Sequence, residues 1–135
     1  MPSNPPKLWD APVLKPNHTV IDLSKTGSRT LWTFDSDEDV LFIASDEVRE
    51  LDRLQTTGGN NIVLAGGKFE PTSHSSPAGT LNFTQVNGSV FVEGVHIDHR
   101  HADGKDAINF YSAAGKNADF VLQNSLIENV QGTWS

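Results

Sequence analysis

The sequence predicts an all-β fold, a parallel β-helix of about three to four coils, and two series of repeats predict it. Segments 62–70, 90–98 and 120–128 share one pattern: apolar, any residue, apolar, a turn residue, then an apolar residue one step before an acid. They begin 28 and 30 residues apart. Between them, Leu81-Asn82-Phe83 is matched by Ile108-Asn109-Phe110, 27 residues later. A period of about 20–50 residues marks a solenoid, whose units bury their apolar faces only against one another. Each unit holds two or three short β runs and no helical stripe, which selects strands.

The elements follow in order. Residues 1–18 hold five of the seven prolines and predict an extended lead-in, draped over the domain or partly disordered, with Leu8, Trp9 and Val13 as candidate anchors. Residues 19–57 predict an N-terminal cap and the first strands, at 19–23, 30–34 and 40–43, with an acidic turn at 35–39. Residues 46–54 predict a turn, and a strand follows around Leu54-Gln55-Thr56, because Gly58-Gly59-Asn60-Asn61 then feeds the first clear repeat. Residues 58–135 predict the coils. Period-2 alternation points Ile62, Leu64, Phe69, Val90, Val92, Ile97, Phe120, Leu122 and Ile127 inward, and Phe91, His96 and Asp98 outward. Stacking then predicts columns Ile62–Val90–Phe120, Leu64–Val92–Leu122 and Phe69–Ile97–Ile127. Gly66, Gly94 and Asn124 share one turn position, where residues that tolerate positive φ are expected. Residues 130–135 read as the opening of another coil. The expectation is an N-terminal portion of a longer solenoid, or an open C-terminal end that pairs with a second copy.

The chain carries 10 Lys+Arg against 17 Asp+Glu, a net charge of −7, which argues against nucleic acid and anionic membranes as partners. No apolar run reaches the roughly 18 residues of a membrane-spanning helix, so membrane insertion is not expected. The N-terminal residues lack the apolar core of a signal peptide. Cysteine is absent, which excludes disulfides, thiolate metal sites and a cysteine nucleophile. Gly58-Gly59 and Gly66-Gly67 lack the Lys-Ser/Thr of a phosphate loop, which argues against nucleotide binding.

The phrases Asn61-Ile62-Val63-Leu64-Ala65-Gly66-Gly67, Val92-Glu93-Gly94-Val95-His96-Ile97-Asp98 and Asp106-Ala107-Ile108-Asn109-Phe110 resemble coils of the pectate-lyase-like, right-handed parallel β-helix superfamily. The resemblance spans about residues 40–130 and implies a right-handed coil. It also implies a carbohydrate-interacting protein, extracellular or virion-associated, with polysaccharide as partner. Polysaccharide lyases and glycoside hydrolases are among its members, as are non-catalytic surface proteins. The signature phrases of its polygalacturonases, alginate epimerases and pectate lyases are missing from this chain.

Two constellations are candidates for chemistry. The first is His96-Ile97-Asp98-His99-Arg100-His101-Ala102-Asp103, where His99 or His101 is a candidate general base oriented by Asp98 or Asp103. There His96, Asp98 and Asp103 are also candidate metal ligands. The competing reading is a solvated turn. The second is a carboxylate ladder, since Glu70, Asp98 and Glu128 share one repeat position. Carboxylates on neighbouring coils repel unless a cation bridges them or one takes a proton. Such a pair suits a retaining glycosidase, whose carboxyl groups lie about 5–5.5 Å apart, or a Ca2+ ion held by oxygens. Its competing reading is three solvated acids at turn starts. Outward Phe91, Tyr111 and Trp134 are candidates for sugar stacking, and Asn82 with Asn109 for an amide ladder. The expected function is therefore carbohydrate interaction, of the lyase or hydrolase class. A self-associating structural or adhesion module without catalysis is the alternative.

Overall fold

Runs of two to six residues cannot bury their own apolar side chains, so each pairs with its equivalent one winding away. The computed structural model describes residues 9–45, 50–71, 79–100 and 106–130. Strand β1 (Thr19–Asp22), a 3-10 turn (Leu23–Lys25) and β2 (Leu31–Thr33) open the stack. β3 (Val40–Ile43), β4 (Glu50–Leu51) and β5 (Leu54–Thr57) form the next winding. β6 (Asn61–Ala65), β7 (Lys68–Phe69) and β8 (Leu81–Val86) follow, then β9 (Ser89–Glu93), β10 (His96–Asp98) and β11 (Ile108–Ser112). β12 (Asp119–Gln123) and β13 (Leu126–Glu128) begin one more.

Three parallel sheets result, ordered β1-β3-β6-β9-β12, β4-β7-β10-β13 and β2-β5-β8-β11. This is a parallel β-solenoid of about three turns. The expected columns are in register: Ile62↔Val90↔Phe120, Leu64↔Val92↔Leu122 and Phe69↔Ile97↔Ile127. Val40 and Phe42 extend the first two upward. The third sheet adds Leu54↔Leu81↔Ile108 and Trp32↔Thr56↔Phe83↔Phe110. Ile62, Leu64, Phe69, Val90, Val92 and Ile97 are all fully buried. Burial of about 1.5–3 kcal/mol per large apolar side chain holds the windings together.

The corners are ordered by two devices. Where the first sheet turns into the second, Gly66, Gly94 and Asn124 have φ of 82°, 69° and 51°. The turn position therefore takes the left-handed conformation in these three windings. Where the third sheet turns into the first, polar side chains cap the next rung. Asp39 Oδ1 accepts from the backbone N–H of Asn61 at 3.1 Å, and Asn61 Oδ1 accepts from the N–H of Ser89 at 3.1 Å. A buried ladder of this kind satisfies amides that the bend removes from the sheets.

The two ends differ. At the first, Leu23 and Trp32 are buried and the Arg29 guanidinium lies 3.7 Å from the Trp32 ring centroid. At the other, Leu122 and Ile127 hold inward register positions yet are each 37% exposed. Among the described residues no further winding covers them.

The lead-in runs over the outer face of the first sheet. Gln123 Nε2 donates to the Trp9 carbonyl at 3.2 Å, and the Lys15 N–H donates to Asp39 Oδ2 at 2.9 Å. An outer apolar row, Leu41↔Val63↔Phe91↔Val121, lies on the same face. Phe91 points outward as expected, but it is buried to 2% exposure instead of free. Val13 is 94% exposed and anchors nothing, whereas its neighbours Pro12 and Leu14 are half-buried. Alternation in an extended segment turns one side chain in two away from the sheet. Leu8, the remaining expected anchor, lies outside the described residues. Among the described residues no helix is long and apolar enough to cross a membrane.

Candidate functional site

Residue alternation along β10 places His96 and Asp98 on the outer face of the second sheet. Pairing sets Glu128 beside Asp98, and Glu70 follows Phe69, the partner of Ile97. The ladder expected from the repeat therefore exists in the backbone. Its side chains do not stand as three solvated carboxylates.

Asp98 is fully buried and accepts from four donors. Its Oδ1 takes the Arg100 N–H at 3.1 Å and Asn129 Nδ2 at 3.0 Å. Its Oδ2 takes Arg100 Nε at 2.7 Å and a second contact from Nη2 of the same guanidinium. The Arg100 side chain first, then the Asn129 amide, hold this carboxyl well below the usual range, so it is ionised. Arg100 Nε also lies 3.7 Å from Glu70 Oε1. The guanidinium thus stands between two rungs of the ladder and relieves their repulsion. Glu128 turns to His96, whose Nε2 lies 2.6 Å from Glu128 Oε1. Both side chains of this pair are partly open to solvent, at 33% and 39% exposure.

His99 goes the other way. It is 1% exposed, and its Nε2 is 2.6 Å from Thr80 Oγ1 on the neighbouring winding. Burial lowers its proton affinity, more than the Asp98 and Asp106 charges raise it, so the ring is held neutral. The expected open position for a general base is not where this ring sits. Its Nδ1 is buried without a partner among the described residues. His101 and Asp103 lie outside the described residues, as does Trp134.

Among the described residues, Asp98 has no oxygen left over for a Ca2+ ion. Asp98 spends its oxygens on Arg100 and Asn129, and among the described residues no three His or acidic side chains converge as metal ligands. His96 and Asp98, the described members of the proposed metal set, face Glu128 and Arg100. The aromatic candidates do not converge either, since Phe91 lies in the first sheet and Tyr111, 59% exposed, in the third. Asn82 and Asn109 do share a column, with Gln55 as its third member.

Sequence reasoning passed over three participants. Arg100 had a local signal, being two residues beyond Asp98, a spacing that lets a side chain return to the preceding carboxylate. Asn129 follows Glu128 with φ of 59° and had none beyond its tolerance of that conformation. Thr80 is set by the winding alone.

What the surface offers is Arg100 and Asn129, both fixed by the buried Asp98 beneath them, with Glu70 and the hydrogen-bonded His96–Glu128 pair beside them. No protein-family model matches the chain, and no curated protein or solved structure matches it.

Proposed function

We propose that this β-solenoid is a carbohydrate-interacting module, of the pectate-lyase-like kind, whose contact surface is the outer face of the β4-β7-β10-β13 sheet. One observation carries the reading: on neighbouring windings the buried Asp98 holds Arg100 and Asn129 in place at the surface, with Glu70 beside the guanidinium. Rungs repeat about every 4.8 Å, close to the advance of one hexose in an extended chain. Groups already held in place by each other lose little entropy when they receive hydroxyl groups. If the surface is catalytic, lyase chemistry fits it better than hydrolysis. His96, oriented by Glu128, takes the proton next to a uronate carboxylate, the electron pair forms the C=C bond as the glycosidic C–O bond breaks, the leaving oxygen takes up a proton, and the exposed edge of the Arg100 guanidinium hydrogen-bonds the carboxylate. A retaining hydrolase needs a second carboxyl group free to act, and Asp98 is engaged by Arg100.

Affinity electrophoresis against neutral and uronate polysaccharides tests the binding. Assays for unsaturated product and for reducing ends test the chemistry. Retardation by at least one glycan that is lost in Arg100→Ala is expected. Unretarded migration in every glycan would sink the reading.

A second reading, self-association without catalysis, is favoured by the apolar surface at the β12–β13 edge. Leu122, Leu126, Ile127 and Val130 are 37%, 52%, 37% and 49% exposed there. Size-exclusion chromatography with light scattering decides it, because a monomer at high concentration removes the reason to invoke a second copy.

A further inference from the structure

One column of side chains shows how unlike the two ends of the stack are. It runs Ile21–Phe42–Leu64–Val92–Leu122 in register. Ile21, at the first end, is 8% exposed, and Leu122, at the other, is 37% exposed. The first end carries its own lid. Leu23 in the 3-10 turn is buried there, and the Arg29 guanidinium lies over the Trp32 ring. Val20 and Leu31, the exposed apolar residues of that end, alternate with buried neighbours and so point sideways from β1 and β2. A head-to-tail contact needs a sticky surface at both ends and grows into a fibre, whereas an end that meets its own copy closes at two. The lid leaves the second kind of contact.

The open end also fits itself. Its edge strands are β11, β12 and β13, one from each sheet. Successive strands share the climb of about 4.8 Å made in one winding. β12 is therefore the middle step, with β11 one step behind it and β13 one step ahead. A two-fold axis through the centre of β12 sets this strand antiparallel to its own copy and sets β11 opposite β13, so that a low step meets a high step on both sides. About Val121, Phe120 falls opposite Leu122 of the partner subunit, and Asp119 falls opposite Gln123 of the partner subunit. Inward side chains thus meet inward side chains, as a shared apolar core requires. No like charges are opposed. The one acid of β12 faces an amide, and β11 carries no charged residue against Glu128 of β13.

We propose that the end formed by β11, β12 and β13 is the face of a two-fold symmetric dimer, in which a second copy of this chain supplies the next rung. The edge N–H and C=O groups of the three strands then pair across the dimer instead of with water. This dimer rests on the self-association reading above and adds to it the end used, the symmetry and the residue on the axis. Each copy covers one rung of the other, so the pair is expected to separate on dilution, and unfolding of the dilute chain reports the single solenoid.

Light scattering of the full chain over a concentration series should show monomer passing to dimer and no larger species. The chain has no cysteine, so single thiols can be placed at will. Val121→Cys, on the axis, should be joined to its own copy by a short bismaleimide. Val20→Cys, exposed in the same outer row at the lidded end, should stay single at equal concentration. Leu122→Asp should raise the dimer dissociation constant tenfold or more. Circular dichroism and the melting transition report whether each variant is folded. Should Leu122→Asp fail to fold, the contrast between the two thiols decides alone. A mass that keeps rising with concentration, or crosslinking at Val20→Cys without crosslinking at Val121→Cys, overturns the two-fold dimer and leaves self-association standing. A monomer at every concentration overturns both.

Discussion

Thr56 should be improvable by removing its hydroxyl. It occupies an inward position of the third sheet, between Trp32 and Phe83 in register, and is 1% exposed. Its Oγ1 is buried with no hydrogen-bond partner among the described residues. A buried hydroxyl without a partner costs about 1–3 kcal/mol. Thr56→Val keeps the branched shape that suits the rung and exchanges the hydroxyl for a methyl, worth about 0.8 kcal/mol when buried. The expected net gain is about 1–3 kcal/mol, since the unfolded chain already shields part of the new methyl. With a urea slope of about 2 kcal/mol per molar, the midpoint should rise by about 0.5–1.5 M at unchanged slope. Thr56→Ala is the control. It removes the same hydroxyl but opens a void, and should fall below Thr56→Val by about 1–2 kcal/mol. A lower midpoint for Thr56→Val would refute the reasoning, because it would mean that the hydroxyl has a partner inside the solenoid.

The same coil geometry makes three other expectations. Leu64→Ala, at a fully buried position, should lose about 2–5 kcal/mol, whereas Leu122→Ala, two rungs beyond in the same column and 37% exposed, should lose less than about 1 kcal/mol in denaturant titration. Gly58→Ala would place a methyl 2.1 Å from the Phe34 carbonyl at φ of 85° and should destabilise by more than about 2 kcal/mol. Gly27→Ala, at φ of 64° with open space around it, should cost about 1 kcal/mol, and equal losses would contradict the close approach. His99 binds its proton less readily than the ordinary value of 6.5, so the unfolded chain protonates first. The stabilisation it confers is complete above pH 6.5 and drains away as pH falls through the folded value. Asp22 and Asp98, held down by hydrogen bonds from Ser24 and Arg100, add a second loss that starts below their ordinary 3.8. The urea midpoint of His99→Gln should therefore keep the lower window and lose the upper one, and an unchanged profile would disprove the role of the ring.

The fold was legible because stacking is written in the repeats. Ile62, Val90 and Phe120 fall in register, and Gly66, Gly94 and Asn124 share a positive φ, since these three windings solve the same turn problem. Phe91 shows where that legibility stops. Its parity is correct, but its burial depends on the lead-in, and nothing periodic connects residues 9–14 to residue 91. The site was half legible for the same reason. Repeat position brought Glu70, Asp98 and Glu128 to one face. It could not say that Arg100 would fold back between two of them, or that His99 would turn inward to Thr80. Those outcomes depend on side-chain choices at the end of β10, where period-2 alternation has ended.

The bond from Gln123 to the Trp9 carbonyl joins residues 114 positions apart, while the ladders join only adjacent windings. A linear stack can peel from either extremity one layer at a time. A tie from the first residues to the last rung turns the pile into a closed circuit, in which loosening of the bottom layer also releases the front of the chain. Melting should then be more nearly all-or-none than the local pairing alone would dictate, and clipping between the tie and β1 should restore stepwise fraying.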